Sequence, residues 1–236
     1  MEWTTVNGVG KTIVIKDIVK GSASIAAPRF LEKFHEKYIK QCNKYFKATD
    51  NIPFNYSEMR MHSVMIPALD LVADAVFAEQ PINKNGRSGR TDYLVLSGNQ
   101  VYLIELKHSW LSYNSGKATG TTKSRWNNAI DDLNDVSWED AFALFPAIRT
   151  VAKIALMVVP LYDSSKNFEK IEDKSYNLDN ILEKFNSFSA QLKPKPNWTS
   201  IWAVNTKMAE ARTVKDGTYE RYPAIGLFAF IEGQTK

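Results

Sequence analysis

Two short apolar segments separated by a turn lie near the middle of the chain. Thr91–Leu96 (TDYLVL) and Val101–Lys107 (VYLIELK) are rich in the branched and aromatic side chains that are typical of β-strands. The residues between them, Ser97–Gln100, include serine, glycine and asparagine, which favour a tight turn. The spacing therefore predicts an antiparallel hairpin.

The register of this hairpin brings charged side chains together. With that turn as the loop, Leu96 faces Val101, and Asp92 then lies opposite Glu105. Directly opposed residues share one face of a sheet. Alternation along a strand also places Glu105 and Lys107 on the same side. We therefore expect two carboxylates and an amine to converge at one end of the hairpin.

Opposed carboxylates repel each other, so something must offset their charge. A hard divalent cation, Mg²⁺ or Mn²⁺, fits this role because Mg²⁺ takes carboxylate oxygens and keeps waters for a phosphate. The backbone carbonyl of Leu106 would supply a further oxygen, and Lys107 would help position or deprotonate a water. The plainer alternative is a salt bridge between Lys107 and one of the carboxylates.

The segments around these residues resemble a known superfamily. They read Gly89-Arg90-Thr91-Asp92-Tyr93-Leu94-Val95, followed by Leu103-Ile104-Glu105-Leu106-Lys107. This pattern is similar to the core of the PD-(D/E)xK nucleases, which have the restriction-endonuclease-like fold. Asp92 matches the motif aspartate, and Glu105 and Lys107 match the (D/E)xK pair, whereas Thr91 stands in place of the motif proline. The resemblance covers about a third of the chain.

The resemblance implies a fold and an activity. The fold would be α/β, a restriction-endonuclease-like mixed β-sheet flanked by helices. The activity would be metal-dependent hydrolysis of phosphodiester bonds, most directly as a DNA endonuclease, with Asp92, Glu105 and Lys107 as catalytic residues. Asp92, Glu105 and the Leu106 carbonyl would hold the metal. The alternative is a module of the same fold that binds nucleic acid, or has a regulatory role, without cleaving.

The resemblance also implies another acidic residue on the helix before the hairpin. Glu58 is our first choice for this catalytic position, and Glu79 is the second. Either carboxylate is also explained as an ordinary charge near a helix end, and the N-terminal position suits Glu58 better. On the following helix, Asp132 replaces a glutamine found in some members, and it either adds a carboxylate or is simply exposed.

The same part of the chain is basic. Residues 81–126 contain seven lysines and arginines against two acidic residues, whereas the net charge of the whole chain is only +4. Such a local excess favours a polyanion, and we expect nucleic acid, with DNA first. A solvated basic face explains the charge equally well. The candidates for phosphate contact are Arg87, Arg90, Lys117, Lys123 and Arg125.

Alternating strand and helix patterns predict one mixed α/β unit. We expect residues 1–50 to form a strand-and-helix extension packed on a core of residues 51–236. The predicted helices are Ala26–Phe46, Ser57–Ala78, Trp126–Val136 and Tyr176–Leu192. The further predicted strands are Lys11–Ile18, Val151–Val159, Ser200–Asn205 and Ala224–Ile231. The predicted loops are Asn83–Gly89 and Asn114–Lys123.

Composition argues against several other classes. The longest purely apolar run, Ile154–Val159, is far shorter than the ~20 residues that span a bilayer, so we expect no membrane partner. The chain has one cysteine, Cys42, and no secretory signal pattern, which together favour the cytoplasm. The segment Gly8–Thr12 (GVGKT) lacks the first glycine of a phosphate-binding loop and precedes a strand pattern. A homodimer stays possible.

Overall fold

The computed structural model describes residues 2–6, 9–17, 19–21, 25–55, 58–172, 174–205, 207–210, 212–213 and 217–236. Within these ranges eleven strands form one sheet with helices on both faces. The strands are β1 (Thr4–Val6), β2 (Gly10–Lys16), β3 (Lys20–Gly21), β4 (Ala75–Lys84), β5 (Arg87–Ser97), β6 (Gln100–His108), β7 (Leu111–Ser112), β8 (Thr150–Ser165), β9 (Trp198–Val204), β10 (Arg212–Thr213) and β11 (Tyr219–Thr235). The helices are α1 (Ala26–Thr49), α2 (Glu58–Asp70), α3 (Gly120–Asn134), α4 (Trp138–Ala143), α5 (Phe168–Glu172) and α6 (Leu178–Ala190), and a 3-10 turn spans Pro53–Asn55.

The sheet is open and mixed. Its main path runs β1-β2-β9-β11-β8-β6-β5-β4. The β6 and β8 strands are parallel, whereas β4–β5, β5–β6 and β8–β11 are antiparallel pairs. The expected α/β class, a mixed sheet flanked by helices, is confirmed. None of the described helices is long and apolar enough to cross a membrane.

Two apolar layers hold the helices on the sheet. Tyr93 and Tyr102 pack with α1 and α2 on one face, and Leu103 packs with α3 on the other. The central strands β8 and β11 are buried over most of their length, which fits their nearly continuous apolar sequence. Trp126 is fully buried in the second layer, and its indole N–H donates to the Pro194 carbonyl at 2.8 Å. Its role is therefore in packing.

The N-terminal segment shares the sheet and the core with the rest of the chain. All of β2 pairs antiparallel with β9, and α1 supplies many of the side chains in the first apolar layer. The predicted helix from Ala26 continues to Thr49. Gly10 opens a strand, not a helix, so the order of elements is wrong for a phosphate-binding loop. Gly8 and Ile18 lie outside the described residues.

The predicted hairpin is present with the predicted register. Leu96 pairs with Val101 and Tyr93 pairs with Ile104 across β5 and β6. Val101 and Leu103 lie in one apolar layer, and Tyr102 and Ile104 lie in the other, as strand alternation requires. The hairpin therefore delivers Glu105 to the face predicted from the sequence.

The secondary structure that we predicted for the segment preceding the hairpin was wrong. The helix that we expected to reach Ala78 ends at Asp70, and its predicted cap, Ser57, lies outside the described residues. Ala75–Lys84 forms strand β4 instead, paired along most of its length with β5. The hydrogen bonds and side-chain contacts of that pairing outweigh the weak helical preference of an alanine-containing segment.

The predicted loop Asn83–Gly89 is also wrong, because β4 and β5 are joined by only two residues. Asn85 and Gly86 have φ angles of 51° and 76°. Positive φ at both positions is the signature of the hairpin turn that Asn-Gly favours. The Asn85 side chain and backbone N–H both donate to Asp135, at 2.6 and 2.8 Å, which ties this turn to the end of α3.

The predicted Asn114–Lys123 loop is shorter than expected. Residues from Gly120 onward belong to α3, whose first turn is capped by the Thr119 side chain accepting from the Thr122 N–H at 3.1 Å. Threonine is a good N-cap residue, and this cap extends the helix N-terminal to the apolar pattern that began at Trp126.

The Asn-Gly turn predicts a pair of opposite stability effects. Gly86→Ala places a Cβ on a left-handed residue and should lower the free energy of unfolding by about 1 kcal/mol. Gly120→Ala, in the first turn of α3 with open space around its Cβ, should raise that free energy by about 0.5 kcal/mol. Urea unfolding of both variants measures this, and equal effects would contradict the turn assignment.

Candidate active site

The backbone pairing between β5 and β6 ends at Tyr93 and Ile104. Beyond this pair, side chains of β5 hydrogen-bond to the backbone of β6. The Thr91 hydroxyl donates to the Ile104 carbonyl at 3.3 Å. The Asp92 carboxylate accepts from the Leu106 N–H at 2.6 Å. Thr91 is buried, and its hydroxyl links β5 to β6 where the backbone ladder has ended.

A second carboxylate caps the next donor along the same strand edge. The Glu58 carboxylate, at the start of α2, accepts from the His108 N–H at 2.9 Å. Leu106 and His108 are two residues apart, so their N–H groups point to the same side of β6. Because the N–H and C=O of one strand residue share a side, the Leu106 carbonyl faces the same gap. Oxygens from Asp92, Leu106 and Glu58 therefore follow one another along this edge.

The three residues of the predicted catalytic group come together. The Lys107 ammonium lies 4.0 Å from an oxygen of Asp92 and 4.0 Å from an oxygen of Glu105. The Glu105 side chain is 4% exposed, whereas the side chains of Asp92 and Lys107 are 26% and 19% exposed. Glu105 is therefore the buried member of the group, and Asp92 and Lys107 are its solvent-accessible members.

A lysine that we did not predict completes this group. The Lys84 ammonium, from β4, lies 2.9 Å from the other oxygen of Glu105 and is largely buried. Its stem passes over Gly89, where an added Cβ would lie 2.7 Å from Lys84 Cδ and 2.9 Å from Cγ. Gly89 therefore leaves the space that Lys84 needs to reach Glu105. Treating Asn85-Gly86 as a hairpin turn would have placed Lys84 beside this strand.

Burial and charge act on Glu105 in opposite directions. Desolvation and the neighbouring Asp92 carboxylate raise the pKa of Glu105 to about 7, although Lys84 and Lys107 lower it. A buried carboxylate next to another carboxylate is a position that favours either a proton or a cation. The plain salt bridge that we considered for Lys107 is less close than the one that Lys84 makes with Glu105.

The second choice for the extra acid lies elsewhere in the fold than expected. Glu79 is in strand β4, not at a helix end, and has a left-handed φ of 52°. It lies between the paired residues Ala78 and Gln80, opposite Asp92 in the register, and its carboxylate is 3.9 Å from Arg90. Burial raises the pKa of Tyr93, and the charges of Asp92, Glu58 and Glu79 raise it further.

The basic candidates are distributed unevenly around the group. Arg125, on α3, donates to the His108 carbonyl at 2.7 Å and so lies at the end of β6. Arg90 pairs loosely with Glu79, and Arg87 lies opposite Lys84 in the β4–β5 pairing. Lys117 and Lys123 are exposed before and within the first turn of α3. Among the described residues, neither of these two lysines forms a hydrogen bond or an ion pair with Asp92, Glu105 or Lys107.

The His108 ring is buried and is held in place by packing and a hydrogen bond. Its ring nitrogen Nε2 lies 3.1 Å from the Phe54 carbonyl, and the ring packs edge-to-face against Trp110. Burial lowers the pKa of His108 to about 4. The ring is on the face opposite Lys107, as strand alternation predicts. Asp132, on α3, is half-buried.

The donor set fits a magnesium-like ion with few protein ligands. Among the described residues, no three histidine, cysteine, aspartate or glutamate side chains are grouped to hold a metal. Mg²⁺ is commonly bound through one or two carboxylates together with waters and substrate phosphates, so two carboxylates are within the number that such a site uses. The bond from the Leu106 N–H uses one carboxylate oxygen of Asp92, and the other oxygen does not take part in it. The Leu106 carbonyl faces the same gap.

Comparison of the chain with protein-family models, with curated proteins and with solved structures found no match.

The raised pKa of Glu105 predicts a pH-dependent stability. In the folded protein Glu105 keeps its proton up to about pH 7, but in the unfolded chain it ionises near 4.5. Between these values the folded state binds more protons, so the contribution of Glu105 is present at low pH and is lost as the pH rises through 7. Glu105→Gln removes this loss, so its stability relative to wild type should rise by on the order of 2 kcal/mol from pH 4.5 to 8.

Urea unfolding without divalent metal, at several pH values, measures this difference. Glu139→Gln, on the exposed first turn of α4, controls for the general effect of removing a carboxylate. Parallel stability curves for wild type and Glu105→Gln would show that Glu105 is not held in the environment described.

Proposed function

We propose that this chain is a metal-dependent nuclease that hydrolyses phosphodiester bonds of nucleic acid, with DNA as the first substrate to test. The observation that carries this proposal is the edge of β6, where the Asp92 and Glu105 carboxylates and the Lys107 ammonium converge beside a solvent opening. Two carboxylates can hold a divalent ion that acidifies a water and polarises a phosphoryl oxygen, and a neighbouring amine can hydrogen-bond that water or a phosphate oxygen.

The order of the elements supports membership in the PD-(D/E)xK superfamily and a restriction-endonuclease-like fold. The resemblance implies an acidic residue on the helix before the hairpin and a further helix after the lysine strand. Glu58 is on α2 and caps the same strand edge as Asp92, and α3 follows β6 and packs against it. Glu58 is therefore our choice over Glu79 for the additional acidic residue.

Each residue has a defined role in this proposal. Asp92, Glu105 and the Leu106 carbonyl would hold Mg²⁺ or Mn²⁺, which when bound supplies positive charge to the phosphate and acidifies a water. The Leu106 N–H orients Asp92, and Lys84 orients Glu105. Lys107 is free on its solvent side to hydrogen-bond the attacking water or a phosphate oxygen.

The charged surface around the group suits a phosphate backbone. Arg125 lies at the end of β6, and Arg87 and Arg90 lie along the strand that carries Asp92. Lys117 and Lys123 are exposed just before and within the first turn of α3, the helix that carries Arg125. Cations that neutralise phosphates release counterions, so binding should weaken steeply with salt.

Substitutions in the group should separate catalysis from folding. Asp92→Asn, Glu105→Gln and Lys107→Met should each reduce the rate of DNA cleavage by more than about 100-fold. Substituting even a residue that only hydrogen-bonds a metal ligand typically lowers metal affinity or activity by about 10- to 100-fold. Lys84→Met acts through Glu105, so it should lower the cleavage rate by about 10- to 100-fold. The readout is the cleavage rate of plasmid and single-stranded DNA in Mg²⁺ and in Mn²⁺.

Asp131→Asn, an exposed substitution on α3, is the matched control and should cleave like wild type. Circular dichroism and urea unfolding establish that each variant is folded. Wild-type cleavage rates in the folded Asp92, Glu105 and Lys107 variants would reject the proposal.

The second candidate function is a module that binds nucleic acid without cleaving it. The observation that favours it is that Lys84 and Lys107 already offset the charge of Glu105 without a metal. Calorimetric titration with Mg²⁺ and Mn²⁺ distinguishes the two functions. Metal binding that is lost in Asp92→Asn supports the nuclease, whereas DNA binding without any metal binding supports the module.

A further inference from the structure

An aromatic pocket lies near the end of β6, on the sheet face that carries α1 and α2, and none of its residues has a role in the proposed chemistry. Its volume is about 340 Å³, and it is lined by Asn55, Trp110, Tyr162, Glu220 and Tyr222. Tyr222 is 1% exposed, whereas Trp110 and Tyr162 are only partly buried. The volume is in the range of small-molecule sites in proteins.

His108 connects this pocket to the candidate active site. Its backbone N–H is bound by Glu58, and its ring stands edge-to-face on Trp110 with the ring centroids 4.7 Å apart. Trp110 is three positions after Lys107, which limits the distance between their Cα atoms to about 11 Å. The pocket lies on the face of the sheet that carries α1 and α2, whereas Lys107 projects from the opposite face, so a nucleic acid strand would contact both by crossing the edge of β6 that Asp92 and Glu58 cap.

The polar groups of the pocket suit a neutral ring with an amino group. The Glu220 carboxylate accepts a hydrogen bond from the Tyr222 hydroxyl, and Asn55 hydrogen-bonds the same hydroxyl. A carboxylate repels phosphate but accepts from an exocyclic amine, such as N4 of cytosine. Aromatic rings stack on the faces of bases without regard to sequence.

We propose that this pocket holds one unpaired nucleobase of the substrate, with a preference for a base that carries an exocyclic amine. The inference rests on the proposed function, because it takes the substrate to be nucleic acid.

The ring geometry favours a base over a compact organic cation. Trp110 and Tyr162 contact each other edge-to-face, with centroids 6.2 Å apart and planes at 88°, so they do not face each other across a space that would cage an ammonium. The pocket is also larger than a methylated ammonium group needs. A flat base stacked on the exposed face of one ring makes better use of these walls.

The test measures how much binding depends on the base, in EDTA so that no cleavage occurs. The ligands are short single-stranded oligodeoxycytidylate, oligothymidylate and an abasic sugar–phosphate chain of the same length. Wild type should bind oligodeoxycytidylate about 5- to 100-fold more tightly than the abasic chain. Trp110→Leu and Tyr162→Leu should lose this preference and keep the affinity for the abasic chain, a pattern that misfolding would not give.

Further variants sharpen the test. Trp110→Phe should restore most of the preference, and Glu220→Gln should reduce the preference for oligodeoxycytidylate over oligothymidylate. Tyr45→Leu, a half-exposed tyrosine on α1, is the control and should behave like wild type. Equal base preference in wild type and Trp110→Leu, or competition by tetramethylammonium in place of nucleotides, would overturn the inference.

The two proposals fail separately. If cleavage is absent but Trp110→Leu still removes the base preference, the nuclease proposal fails and the pocket stands. If cleavage depends on Asp92 but the base preference does not depend on Trp110 or Tyr162, the pocket inference fails alone.

Discussion

The capping of one strand edge by two carboxylates organises this part of the molecule. Beyond Ile104, β6 has lost β5 as a neighbour, and the N–H groups of Leu106 and His108 would be unpaired there. Asp92 and Glu58 accept these two donors at 2.6 and 2.9 Å. Buried backbone donors without partners are costly, so this edge fixes both carboxylates in place. The Leu106 carbonyl between them then faces the same gap.

Bringing carboxylates to this edge creates a charge problem that the surrounding elements offset. Glu105 is almost fully buried next to Asp92, and Lys84 and Lys107 approach it from β4 and from its own strand. The ion pair with Lys84 depends on Gly89, because any side chain there would displace the lysine stem. Breaking one partner of a buried ion pair leaves an uncompensated charge, so these residues act together.

The hairpin and its charged end could be predicted because both follow from local rules. Strand alternation and the turn between Leu96 and Val101 fix the register, and the register fixes Asp92 and Glu105. The strand that carries Glu79 and Lys84 could not be read in the same way. Its sequence has no strict alternation, and pairing with β5 decides its conformation. The cap at Thr119 was likewise visible only after the helix start was known.

The aromatic pocket shows a second limit of sequence reasoning. Trp110 follows the lysine strand closely in the sequence, but Tyr162 and Tyr222 come from β8 and β11, which the sheet topology brings beside it. Such a site depends on strand order, which a single sequence specifies only through the complete fold. The predictable part of the candidate site was therefore the part that lies on one hairpin.

The central claim is that Asp92 and Glu105 share one divalent ion. The most direct measurement is an anomalous-difference map from a crystal of this protein soaked in Mn²⁺. The account predicts a single strong peak in contact with both carboxylates and close to the Leu106 carbonyl. A map with no peak between Asp92 and Glu105, in a crystal that binds Mn²⁺ at other positions, would contradict it.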